Sequence, residues 1–109
     1  MEHPDKIVVI FCTIPAAESE AMSRALVGQR LVACVNVLPV RSYYRWKGEF
    51  CADEEHLLII KTPQEKTGDV IAAIKALHSY EIPEIIVLPV IAGHAPYLEW
   101  VLQETRDDP

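Results

Sequence analysis

Leu31-Val32-Ala33-Cys34-Val35-Asn36-Val37-Leu38-Pro39-Val40-Arg41-Ser42-Tyr43-Tyr44-Arg45-Trp46-Lys47-Gly48 is the stretch whose reading decides the fold. Its residues up to Trp46 read as one long strand, with Val32 to Leu38 as the buried half and Ser42 to Trp46 as an aromatic, more exposed half. Lys47-Gly48 supplies a turn, and a third strand returns to end in Leu57-Leu58-Ile59-Ile60-Lys61. A long hairpin therefore occupies the middle of the chain. Upstream, Ile7 to Ile14 is a β-branched apolar run, read as a strand buried on both faces. Pro15 opens a helix to about Arg30, with Ala21, Met22, Ala25 and Leu26 as its apolar stripe and Gly28 weakening its last turns.

Downstream, Thr62-Pro63-Gln64-Glu65 predicts a helix start, with Thr62 as cap and Glu65 completing a capping box. Val70, Ile71, Ile74 and Leu77 mark one face of that helix, which ends near His78. A fourth strand is expected from about Pro83 to Ile91. Gly93 breaks it, and a last helix uses Tyr97, Leu98, Val101 and Leu102. Residues 1–109 thus read as a single α+β domain with the ferredoxin-like order βαββαβ plus a C-terminal helix, its antiparallel sheet ordered 4-1-3-2. Pro39 falls in strand 2 and Pro89 in strand 4, which that order makes the edges. Proline cannot donate to a ladder and belongs on an edge or at a bulge.

A sheet covered by helices on one face should alternate apolar and polar residues. These strands do not. Val8, Ile10, Cys12 and Ile14 are apolar or nearly so, and so are Ile7, Val9 and Phe11. The face left bare predicts self-association, unless the last helix packs across it. A net charge of -6 argues against nucleic acid and anionic membrane as partners, since both need clustered Lys and Arg. No apolar run has the length of a membrane span, and the polar segment Met1-Glu2-His3-Pro4-Asp5-Lys6 does not read as a signal peptide. Three cysteines, an odd number, make no disulfide framework and favour a reduced, cytoplasmic setting.

Ala33-Cys34-Val35-Asn36 followed by Pro39, then Ser42, Tyr44, Trp46 and Gly48 at alternate positions, resembles the strand-2 signature of the CutA family. Lys61-Thr62, His78-Ser79-Tyr80-Glu81-Ile82-Pro83-Glu84-Ile85, Leu88-Pro89, Gly93 and Tyr97-Leu98-Glu99-Trp100 extend the resemblance over about residues 7 to 102. Ser79 departs from it, standing where the family usually has proline. The resemblance implies a homotrimer with sheets packed inward. It implies a role in tolerance of divalent cations, copper especially, and a likeness to the PII-type signalling trimers, which bind effectors between subunits.

Cys12, His78 and Glu84 are the positions that the resemblance links to metal. The start of strand 4 lies beside the end of strand 1, which brings Glu84 toward Cys12, and His78 ends the helix feeding strand 4. Thiolate, imidazole and carboxylate together suit Cu(II) or another divalent transition metal, not required for folding. The plainer alternatives are a buried Cys12 acting as a small hydrophobe, His78 at a helix C-terminus, and a Glu84–Lys61 pair. Cys34 reads as core and Cys51 as exposed. Trp46, Lys61, Tyr80, Glu84 and Trp100 are expected to line a second site, a cleft at a subunit boundary for a small anionic or zwitterionic ligand, with Lys61 as the charge for an anion and Glu84 as the charge for an amine. Its basis is the placement of Lys61 and Glu84 at the same end of the sheet. No catalytic residues are assigned: the four glycines form no phosphate loop, and no Ser/His/Asp or Cys/His/Asn constellation is evident. Glu54-Glu55 and Asp107-Asp108 read as solvated charge.

Overall fold

Alternation along the first strand decides where the core lies. The computed structural model describes residues 6–106, so Met1-Glu2-His3-Pro4-Asp5 and Asp107-Asp108 lie outside the described residues. Strand β1 (Ile7–Ile14) buries Val8, Ile10, Cys12 and Ile14 under helices α1 (Ala16–Gly28) and α2 (Thr67–Leu77). Met22 and Leu26 of α1, and Val70 and Ile74 of α2, complete that core. Leu77 belongs to the same apolar series of α2 but stays half exposed at the last residue of the helix. Strands β2 (Cys34–Trp46), β3 (Glu49–Pro63) and β4 (Ile85–Pro89) flank β1 in the antiparallel order β2-β3-β1-β4, so the strands that carry Pro39 and Pro89 are the edges, as expected, while Pro63 closes the interior strand β3 at its last residue. Helix α3 (Ala95–Glu104) lies on the opposite face, where Val101, Leu98 and Leu102 pack against Ile7, Ala33 and Val90.

Several boundaries differ from expectation for physical reasons. Thr62 caps no helix. It is paired with Val8 in the ladder, fully buried, and donates its hydroxyl to Leu31 O at 2.7 Å. β3 therefore runs on to Pro63, and a short 3-10 turn (Gln64–Lys66) precedes α2. β2 starts at Cys34 rather than Leu31, because Arg30 adopts a left-handed φ of 60° and Leu31 N–H closes back on Leu26 O. β4 is short because its ladder with β1 spans only Val8 to Cys12. The Lys47–Gly48 turn has φ of 51° and 83°, the two positive values that a two-residue hairpin loop requires. The half of β2 expected to be buried is not: Val32 and Ala33 are buried before the strand begins, whereas Asn36, Val37 and Leu38 are exposed on the free edge.

The face opposite α1 and α2 stays largely open. α3 covers one end of it. Beyond, Leu38, Ile86 and Leu88 are 38%, 50% and 37% exposed, with Val9, Phe11, Leu57 and Ile59 half-buried between them. Neither a solvated antiparallel face nor one sealed by the last helix describes this surface.

Candidate functional site

The residues expected to bind metal gather around one threonine. Cys12 is paired with Ile85 in the β1–β4 ladder, so Glu84 comes to the end of β1, where Thr13 Oγ1 donates to Glu84 Oε1 at 3.4 Å. His78, the residue after α2, holds Thr13 O from Nε2 at 2.8 Å. The Tyr80 backbone N–H donates to His78 Nδ1 at 3.1 Å. A nitrogen that accepts carries no proton, so with Nδ1 accepting from Tyr80 the Nε2–H is the donor toward Thr13 O. Cys12 is fully buried on the helix-covered face, and burial, followed by the carboxylates of Glu84 and Glu55, pushes its thiol up to about 12.

Metal ligation would have to displace the proton of a buried thiol and free one imidazole nitrogen. Here burial favours the protonated thiol, and both imidazole nitrogens are engaged in positioning the 78–84 segment against β1. Among the described residues no group of three or more His, Cys, Asp or Glu is arranged to hold a metal ion. Cys12, His78 and Glu84 are neighbours, but within this protomer they do not fit the ion that the resemblance implies.

The second expected site separates into two. β3 and β4 both run antiparallel to β1 and hence parallel to each other, so the end of β3 lies beside the end of β4, not its start. Lys61 sits opposite Val9, while Glu84 lies beside Thr13; four residues of strand put them about 13 Å apart along the sheet. Lys61 donates to Asn36 Oδ1 and lies 3.9 Å from Cys34 Sγ. Burial and the neighbouring Cys34 push the Tyr97 hydroxyl up, and Trp100 packs on Tyr97 with centroids 5.6 Å apart. Lys61 and Trp100 therefore belong to the α3 end of the open face. Cys34 is half-buried there rather than core, and Cys51 is half-buried in the hairpin rather than exposed.

Trp46, Tyr80 and Glu84 do meet, at the other end. They line a cavity of about 690 Å³ between the turn-side half of the β2–β3 hairpin and the 78–84 segment, together with Thr13, Ser42, Tyr44, Glu55 and Glu81. Tyr80 Oη donates to Glu55 Oε2 at 2.6 Å; burial first, and this bond second, push the Tyr80 hydroxyl well above the usual phenol range. Tyr44 donates to Asp53, a bond that raises its hydroxyl to about 12. Within this protomer the cavity wall carries three glutamates and no lysine, arginine or histidine, so the lysine expected beside Glu84 is not part of it. Glu55, read from sequence as solvated charge, is 5% exposed. Its signal was positional: alternation places Glu55 on the same face as Leu57, Ile59 and Lys61.

One further pair was missed. Ser19 Oγ lies 2.7 Å from His56 Nδ1. The Ser19 hydroxyl also donates to Ala16 O at 3.0 Å, which leaves His56 as the donor between them. That arrangement does not activate a nucleophile.

No helix among the described residues is long and apolar enough to cross a membrane. The profile of a family described as CutA1 divalent ion tolerance protein matches residues 8–104. A divalent-cation tolerance protein CutA of Thermus thermophilus is 41% identical over 99 residues, covering 89% of this chain and 96% of that protein. A chloroplastic protein CutA of Arabidopsis thaliana is 38% identical over 98% of this chain, which spans only 62% of that relative. Among solved structures, the periplasmic divalent cation tolerance protein CutA from Archaeoglobus fulgidus superposes with a TM-score of 0.90 at 34% identity, over 92% of this chain and 99% of that one. The PII-like protein CutA from Nostoc sp. PCC 7120, in apo form, gives 0.85 at 37% identity, over 93% and 97%. The order β2-β3-β1-β4, the His78–Glu84 segment folded onto β1 and the profile match over 8–104 agree: the chain belongs to the CutA1 divalent ion tolerance family.

Proposed function

We propose that the chain serves divalent-cation tolerance as a homotrimeric, non-enzymatic binding protein in a reduced, cytoplasmic setting. The observation that carries this is the open sheet face, on which Leu38, Ile86 and Leu88 remain more than a third exposed while α3 covers only one end. Burying them against other copies removes apolar surface from water at about 25 cal/mol per Å². A closed ring of copies leaves no open face on any of them, and three is the number that the CutA resemblance implies. The hairpin cavity, at the far end of that face from α3, is the binding site of the assembled protein. Copper acts in this scheme as a stimulus and not as a structural cofactor, given the commitments of Cys12 and His78.

Light scattering on a gel-filtration column tests the assembly. Three times 12.3 kDa is expected, with and without chelator. A monomer at micromolar concentration would refute it.

The PII-like character of the Nostoc neighbour favours a second use of the same cavity, as a receptor for a small effector in signalling. A cavity volume of about 690 Å³ fits a molecule rather than a bare ion. A metabolite screen that yields thermal shifts, against metal titrations that yield none, separates signalling from direct metal handling.

A further inference from the structure

We propose that the hairpin cavity takes a small organic cation, an aliphatic amine, with Glu55 as its anchor. This rests on the cavity being the binding site named above, and it specifies the ligand's charge and class.

Glu55 is 5% exposed, and among the described residues the one hydrogen bond of its side chain is the one Tyr80 donates to Oε2. No lysine, arginine or histidine among the described residues forms an ion pair with it. A largely buried carboxylate with one neutral donor is stabilised when a cation joins it. The cavity it lines is where that cation enters, since the rest of the wall adds Glu81 and Glu84 and no positive side chain. Lys47 reaches Glu81 at 3.6 Å, but both side chains are well exposed and sit at the rim, where water screens them.

The walls specify what kind of cation. Tyr44, Trp46 and Tyr80 present aromatic surface, and an ammonium group is attracted to such rings. Ser42 and Thr13 offer hydroxyl oxygens to N–H donors. A bare metal ion is a poorer fit, because the carboxylates do not converge as a set of ligands and the cavity is far larger than an ion. A compact ammonium on an aliphatic chain meets the buried carboxylate, the aromatic walls and a second carboxylate at Glu84 together.

Titration calorimetry on the full-length assembled chain tests this with putrescine, sodium acetate and magnesium chloride as probes. Putrescine is expected to bind once per protomer, while acetate and magnesium produce no saturable heat. Glu55→Gln keeps an acceptor for Tyr80 and should weaken putrescine about tenfold to a hundredfold, the loss of one charge-assisted bond. Trp46→Leu, in the exposed hairpin, should weaken it severalfold with the assembled mass unchanged. Putrescine binding that Glu55→Gln leaves intact overturns the assignment of the anchor. Binding of acetate in place of putrescine overturns the cation class but leaves the cavity as a binding site. Silence from all three probes and from a wider metabolite screen overturns the cavity as a binding site altogether, as it would if a neighbouring copy's side chain filled it.

Discussion

Alkaline pH should destabilise this protein through one buried thiol, by an amount that follows from the position of Cys12. Its thiol rises from 9.0 to about 12 on folding, with burial as the largest cause. Above pH 9 the unfolded thiol ionises while the folded one keeps its proton, so the folded state binds more protons and stability falls as pH rises. The loss begins near 9 and saturates near 12, at about 4 kcal/mol for three pH units. Between pH 8 and 10.5 it amounts to about 2 kcal/mol. Urea unfolding of the wild type and of Cys12→Ala at both pH values, at one protein concentration, isolates this contribution, because Cys34, Cys51 and the tyrosines titrate in both proteins. The wild type should lose about 2 kcal/mol more than the variant over that interval. Equal losses would mean that the Cys12 thiol titrates normally in the folded chain. Its protonation would then be no obstacle to metal, and the case against Cys12 as a ligand at neutral pH would lose its chemical half.

His78→Ala removes the bridge between Thr13 O and Tyr80 N–H and should cost about 2–4 kcal/mol, measured by urea unfolding; a loss below about 0.5 kcal/mol would refute the bridging role. In the same variant, copper stoichiometry by calorimetry should match that of the wild type, since His78 serves the fold. Ile86→Asp places a charge on the open face and should lower the assembled mass toward 12.3 kDa; wild-type mass with wild-type melting temperature would count against burial of that face.

Strand order was legible from the βαββαβ succession, and Pro39 and Pro89, which carry no ladder N–H, agreed with it by falling on outer strands; Pro63 escapes the rule because it is the last residue of interior β3. The hairpin turn was legible because Lys47-Gly48 tolerates two positive φ values. The helix start at Thr62 was not. A threonine before proline satisfies a capping pattern locally, but here the tertiary partner Leu31 O claims the hydroxyl. The candidate cleft failed for a different reason. Placing Lys61 beside Glu84 required β3 and β4 to run in opposite directions, and two strands each antiparallel to β1 cannot do so. Glu55 was invisible as a site residue because its neighbour Glu54 is well exposed and paired with Arg41 at 3.6 Å; adjacency in sequence hid opposite faces of one strand.

That separation of charge bears on how the proposed binding cavity would meet cations. Lys61 is engaged by Asn36 near the α3 end of the open face. Glu55, Glu81 and Glu84 lie together at the hairpin end. On a chain of net charge -6 this makes the hairpin end the more negative pole of the face. Carboxylates lining a concave, partly desolvated wall focus potential and raise the local concentration of any cation, metal or organic, before a specific contact forms. Selection between them then rests on contacts. Among the described residues no ligands converge for a metal ion, whereas aromatic walls and one buried carboxylate are present for an ammonium group. A divalent ion at high concentration would crowd the same pole through its field alone. Metal and amine would then oppose each other at the cavity without sharing a coordination site, and the opposition would weaken as salt shortens the Debye length below about 8 Å.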